Sequence, residues 1–401
     1  MNCLRKIWCR TFQGVFYLAL PLLPYRDPKR FNAITRIPEI LKKNNKSRVL
    51  IVTDQGLVKA GLLQQLENVL QKEGIAYTVY SDTVPNPTID NVEAARQQYL
   101  DFGAEALIAL GGGSSMDCAK AAGARIVKPN QSIPEMKGIL RVHKRLPLLI
   151  AIPTTAGTGS ETTLAAVITD SRVHHKYPIN DFPLIPHYAI LDWHLTTGLP
   201  KHITATTGMD ALTHAVEAYI GRSTTKQTRL MAETATKLIN RYLYRAYENG
   251  NDGEARQYML RAAFCAGLAF SKSYVGYVHA VAHSLGGKYG TPHGLANAVL
   301  LPIVLKAYGS AVYPKLARLA RRANVITENL SDEETAKRFI AWIEEMNAKM
   351  NIPTKIADIR EEDIPQMAAH ADAEGNPLYP VPVLMDRKEL EQLYRLAMRT
   401  R

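Results

Sequence analysis

The chain has 401 residues, 46% of them hydrophobic and 21% charged, with 25 glycines and 22 prolines; this is globular usage and excludes collagen-like and disordered classes. The length fits two domains with sizeable cores, and no run of eighteen uncharged apolar residues marks a bilayer-spanning helix. The net charge of +12 sits mostly in residues 1–48, where eleven lysines and arginines face only Asp27 and Glu39, so no basic folded face argues for nucleic acid as a partner.

Leu4, Trp8, Phe12, Val15, Ala19 and Leu22 recur at helical spacing, with Arg5, Lys6, Arg10 and Gln13 elsewhere on the wheel. Residues 1–30 thus form a basic amphipathic extension. Two readings stand: a helix docked on its own protein or a sister subunit, which is preferred, or peripheral contact with an anionic membrane surface. No A-x-A-like cleavage site follows the apolar run Val15–Leu23, so a signal peptide is not expected. Cys3, Cys9, Cys118 and Cys265 contain no C-x-x-C pair and are too sparse for a disulfide framework, which points to a reducing cytoplasm.

From Arg48 to about Leu199 strands alternate with helices. Val49–Thr53, Ala76–Tyr80, Ala106–Leu110 and Leu148–Ile152 read as strands. A Leu62/Leu63/Leu66/Leu70 pattern ending at Gly74, then Ile89–Phe102 and Ser115–Ala124, read as helices. This alternation predicts βαβ units around a parallel sheet covered on both faces. After Pro200 the strand signal vanishes and long helical patterns take over. The expected domains are therefore an α/β domain over 31–200 and an all-helical one over 201–401.

Three segments carry chemistry. Gly111-Gly112-Gly113-Ser114 links a strand to a helix, where bare amides and the helix dipole favour a phosphate, although the strict G-x-G-x-x-G order is missing. Pro153–Glu161 offers Thr154, Thr155, Thr158 and Ser160 after the next strand, and ligands of open α/β sheets bind at such strand ends. In the helical half, Asp210 and His214 share a helix face at i, i+4, as do His279 and His283, with His293 nearby. One aspartate with several imidazoles and no thiolate suits Fe²⁺ or Zn²⁺. The spacing does not say which of the three later histidines bind.

These segments, with Gly208–Tyr219 and His279–Asn297, resemble the iron-containing (group III) alcohol dehydrogenases in order and spacing. The resemblance implies a dinucleotide-binding α/β domain followed by a helical domain, a fold shared with dehydroquinate synthase, and an active site in the cleft between them. It implies metal ligands Asp210, His214, His279 and His293, with His283 as a catalytic histidine beside the metal. For NAD it implies Asp54 at the adenosine ribose, where a carboxylate repels the 2′-phosphate of NADP. Gly111, Gly112, Gly113, Ser114 and Asp117 would lie along the pyrophosphate and nicotinamide side, and Thr154, Thr155, Thr158, Lys176 and Leu195 would complete the contacts. Phe270 would line the substrate pocket. The implied activity is reversible NAD-linked oxidation of a small primary alcohol or diol to the aldehyde, in a homodimer or larger assembly. The rival readings are a metal-dependent lyase of the dehydroquinate-synthase type and a non-catalytic scaffold.

Overall fold

A computed structural model describes residues 1–172 and 175–399. They form two compact units: Pro24–Gly198, and Met1–Leu23 together with the chain from Leu199 onward. The extension read as residues 1–30 is therefore divided. Its helix packs with the helical unit, and the remainder belongs to the other.

The described residues of the Pro24–Gly198 unit form nine strands: β1 Lys29–Phe31, β2 Arg48–Val52, β3 Ala76–Tyr80, β4 Ala106–Gly111, β5 Gly138–Ile139, β6 Leu148–Pro153, β7 Ala165–Asp170, β8 His175–Asn180 and β9 Tyr188–Ile190. Six make one all-parallel sheet in the order β1-β9-β6-β4-β2-β3. Alternate residues of the central strands feed two cores, as a strand buried on both faces requires. Leu50, Leu107 and Leu149 enter one; Ile51, Ile108 and Ile150 enter the other. The four expected strands all lie in this sheet. Beside it stands a three-stranded sheet, β5-β8-β7, which the sequence pattern did not disclose.

β3 pairs on one side of β2 and β4 on the other. This reversal puts a crevice at the carboxyl ends of β2 and β4, where open α/β sheets bind ligands. β4 runs directly into the helix Gly113–Val127.

The helical unit contains no strand among its described residues beyond one isolated bridge, Ile356 to Met398. Its core helices are Lys201–Ile220, Lys226–Glu248, Gly253–Ser273, Tyr277–Tyr289 and His293–Tyr308. Glycines set two close approaches. A Cβ on Gly208 would strike the Leu243 side chain, and one on Gly294 would lie 2.5 Å from the Thr206 carbonyl oxygen. The start of the His293–Tyr308 helix can thus lie against the helix that carries Asp210. The stretch His293–Ala311 has the length and apolarity of a spanning helix, yet Asn297, Leu300, Leu301 and Leu305 on it are wholly buried within the unit.

The N-terminal helix is Cys3–Ala19. It packs on its own unit with Cys9 and Gln13 buried, Phe16 edge-on to Tyr274 and Leu20 of the next turn buried, while Leu4, Trp8 and Val15, and Leu22 beyond it, face outward. Carbonyls and a carboxylate on the body satisfy its arginines and glutamine.

Candidate metal centre and cofactor loops

On the Lys201–Ile220 helix, Asp210, His214 and Glu217 fall at i, i+4 and i+7 and share one face. His279 stands on Tyr277–Tyr289, and His293 opens the next helix. One ligand atom from each of Asp210, His214, His279 and His293 lies within 4.8 Å of all the others. Asp210, His214 and His279 are buried and His293 is half-buried. Ring stacking orders the group: His214 lies on Phe270 at 4.0 Å between centroids and on His279 at 4.5 Å.

The electrostatics of this cluster ask for a cation. Burial raises the Asp210 carboxyl above its usual range, and no lysine or arginine among the described residues forms an ion pair with it. Burial and the neighbouring imidazoles hold His279 well below its usual pKa, so its ring is neutral, the form that binds metal. One buried carboxylate with three imidazoles is a donor set that fits Fe²⁺ or Zn²⁺.

Two contributors escaped the sequence reading. Glu217 Oε2 lies 2.6 Å from His279 Nδ1, and its Oε1 accepts the Val278 amide at 2.8 Å. A Cβ at Gly276 would lie 2.7 Å from Oε1, so only glycine leaves room for this carboxylate. Burial pushes Glu217 up to about 8, against the amides of Gly276, Val278 and His279. Such a contact fixes tautomer and ring orientation of a ligand histidine. Asn297 is the other: its Nδ2 lies 2.6 Å from Asp210 Oδ1, 3.2 Å from His279 Nε2 and 3.1 Å from His293 Nε2. Asn297 follows His293 by four residues, the same helical spacing that singled out His214, so periodicity could have found it.

His283 is set apart from the four. Its ring stacks on His293 at 5.3 Å, and Nδ1 lies 2.6 Å from Glu374 Oε1, which also accepts the Tyr379 hydroxyl at 2.6 Å.

In the sheet unit the loops at the strand ends converge. Gly111 has φ +152°, and a Cβ there would lie 2.8 Å from Ser115 Cβ, so the turn demands glycine. Gly112 caps the helix, and the free amides of that first turn suit a phosphate. A Cβ at Gly113 would lie 3.1 Å from Thr158 Cγ2, and one at Gly112 3.6 Å from Thr155 Oγ1, so the two loops touch. Thr154 is buried, its amide bonded to the Gly111 carbonyl at 3.0 Å. Asp54 follows β2, caps the short Gln55–Lys59 helix through Leu57 N, and accepts from Ser115 Oγ at 3.4 Å.

Other expected contacts sit differently. Asp117 accepts from Ser160 Oγ at 2.9 Å and Val167 N at 3.1 Å, tying loop to hairpin. Lys176 Nζ donates to Asn86 Oδ1 at 2.7 Å, and Asn86 N donates to Ser114 Oγ at 3.4 Å. The Leu195 side chain is packed in a core, 1% exposed. The residue that builds the threonine loop went unread: Lys120, fully buried, donates to Ser160 O and Oγ, Thr163 O and Oγ1, and Ala165 O at 2.7–3.1 Å. Burial lowers it to about 8 and raises the nearby Glu161 to about 7.

Comparison with known proteins agrees with this layout. Residues 30–193 match the profile described as "Iron-containing alcohol dehydrogenase", and residues 204–398 match "Fe-containing alcohol dehydrogenase family, C-terminal". Alcohol dehydrogenase 4 of Schizosaccharomyces pombe is 37% identical over 364 residues, 89% of this chain and 84% of the relative. The NAD-dependent methanol dehydrogenase of Bacillus methanolicus is 38% identical over 345 residues, 84% of this chain and 89% of the relative. Among solved structures, a 1,3-propanediol oxidoreductase superposes with a TM-score of 0.89 at 35% identity, covering 93% of this chain and 99% of the other.

Proposed function

The chain belongs to the iron-containing alcohol dehydrogenase family, and from that premise we propose that it is an NAD-linked oxidoreductase interconverting a small primary alcohol or diol and its aldehyde. The single observation that carries this reading is the convergence of Asp210, His214, His279 and His293 within 4.8 Å. A scaffold has no use for such a buried donor set. A metal hydrolase or a lyase acting on a phosphorylated acid accounts less well for the length and identity of the match to dehydrogenases of small alcohols.

Asp210, His214, His279 and His293 hold one divalent ion, Fe²⁺ in keeping with the family and Zn²⁺ as the alternative. Bound there, it supplies Lewis acidity toward a substrate oxygen, while NAD supplies the hydride acceptor. The chain's own work is positional and protonic. Glu217 orients His279, and Phe270 fixes the His214 ring and lines the substrate side. The bond from His283 Nδ1 to Glu374 leaves Nε2 as the basic atom that takes the alcohol proton toward solvent.

On the cofactor side, the amides of Gly111–Ser114 receive the pyrophosphate and the hydroxyls of Thr155 and Thr158 bond the nucleotide. Thr154 and Asp117 hold those loops, Lys176 closes the Asn86 turn, and Leu195 supports the sheet from its core. Asp54 takes the adenosine ribose hydroxyls and repels a 2′-phosphate, selecting NAD over NADP. The cysteines are free thiols, which favours a cytoplasmic setting, and we place the enzyme in a homodimer or larger assembly.

The test is direct. Anaerobically purified protein loaded with Fe²⁺ should produce NADH absorbance with NAD⁺ and short alcohols or 1,3-diols. Absence of turnover across alcohols, diols and aldehydes with both NAD(H) and NADP(H) would reject the reading.

A further inference from the structure

The N-terminal helix packs on the body with a mixed polar and apolar side and turns a second, apolar stripe outward. Its polar side is clamped. Arg5 holds Asp372 with two bonds of 2.9 Å, Arg10 donates to the carbonyls of Val381 and Pro382, and Gln13 donates to the carbonyls of Tyr379 and Pro377. The terminal ammonium is paired with Asp386. Fixing that side fixes the other outward. Leu4, Trp8, Val15, Leu18 and Leu22 form one stripe, with Ile7 beside it, and their exposures run from 57% to 86%. With the following turn Leu20–Leu22 the stripe is about 30 Å long. A contiguous apolar band of that size marks a docking surface.

Charge decides what docks. Between Met1 and Arg26 there is no aspartate or glutamate, and of the four cationic side chains Arg5, Arg10 and Arg26 are bonded to the body, leaving Lys6 exposed. The two acidic groups of the body that touch the helix, Asp372 and Asp386, are already engaged by Arg5 and the terminus. Lys6 is exposed next to Ile7, with no carboxylate on its own helix to meet it. A second copy of this helix would bring no acidic residue to meet Lys6. An apolar stripe containing tryptophan, on a helix with an exposed cation and no acid, matches the boundary between acyl chains and anionic headgroups.

We propose that the Cys3–Ala19 helix is a peripheral membrane anchor that lies flat on anionic bilayers and carries the enzyme to the lipid surface. This is independent of the catalytic assignment. Full-length protein is mixed with vesicles of phosphatidylcholine and phosphatidylserine at 70:30, and with pure phosphatidylcholine vesicles, and both are floated on a density gradient. The protein should rise with the anionic vesicles, less so at high salt, and only weakly with the neutral ones. Trp8→Glu with Leu18→Glu alters only outward-facing positions and should lower the floated fraction about tenfold; Trp8→Ala with Leu18→Ala, which adds no charge, should weaken it too. Wild-type protein that stays at the bottom with both vesicles overturns the proposal. So does a double glutamate variant that floats like wild type, or one whose mass by light scattering halves while wild type ignores lipid, since a second copy then covers the stripe.

Discussion

The two halves of the molecule handle buried charge in opposite ways. In the sheet unit, Lys120 is buried among five oxygen acceptors from Ser160, Thr163 and Ala165, with Asp117 and Glu161 nearby. That arrangement is complete in itself, and its product is a fixed threonine loop. In the helical unit, Asp210 is buried among imidazoles with an asparagine amide as hydrogen-bond donor. There no lysine or arginine among the described residues pairs with it, which suits the group to a bound cation. One half is pre-built to receive a nucleotide, whereas the other becomes electrostatically whole on loading a metal.

This contrast can be broken most severely at Lys120. Lys120→Met should cost roughly 3–5 kcal/mol of unfolding free energy, because it strands several buried oxygens at once. Urea denaturation should show the loss in full whether or not metal is present, and a loss below about 1 kcal/mol would mean the cage is not structural. Gly111→Ala forces a side chain into a left-handed backbone against Ser115. Its expected cost is about 1–3 kcal/mol, read as at least tenfold weaker NADH binding by fluorescence titration with metal content unchanged.

Glu217→Gln probes the other half. The expected result is metal affinity lowered about 10–100-fold in a competition titration with a chelator, with NADH binding intact. A lowered melting temperature with normal metal affinity would reduce Glu217 to a packing role. The smallest effect is acid sensitivity in the sheet unit. His187 Nδ1 accepts the Leu149 amide at 3.1 Å, and burial, with Arg26 and Arg145, lowers its pKa from 6.5 to about 4. The unfolded chain therefore takes up this proton first, so the contribution is present above pH 6.5 and is lost as pH falls toward 4. At pH 5 the loss should be about 2 kcal/mol or less. His187→Gln should flatten that limb of the pH–stability curve.

Much of this was legible in residue spacing, and the exceptions share a cause. Asp210 and His214 announce themselves because the i, i+4 rule is local, and the glycine turn does so because strand, turn and helix are contiguous. Lys120 looked like any residue of a surface helix, since nothing local says that Ser160 and Thr163 will surround it. Glu217 stood in the recognised Gly208–Tyr219 segment without a role, because its partner His279 is 62 residues away. The β7–β8 hairpin was missed because β7 alternates half-buried and buried positions rather than forming an apolar run. The N-terminal helix was found, but not which of its sides packs on the body. Hydrophobic periodicity locates an apolar face without showing that Arg5, Arg10 and Gln13 have better partners on the body.

The central claim is that four side chains of the helical half bind one catalytic divalent ion. The measurement that tests it most directly is anaerobic Fe²⁺ titration of metal-stripped wild type and Asp210→Asn, with bound iron and NADH formation followed on the same samples. The account predicts one ion per chain in wild type, with activity rising in step. In the variant it predicts loss of tight binding and a fall in turnover of about a thousandfold or more. Equal iron binding and turnover in both proteins would contradict it.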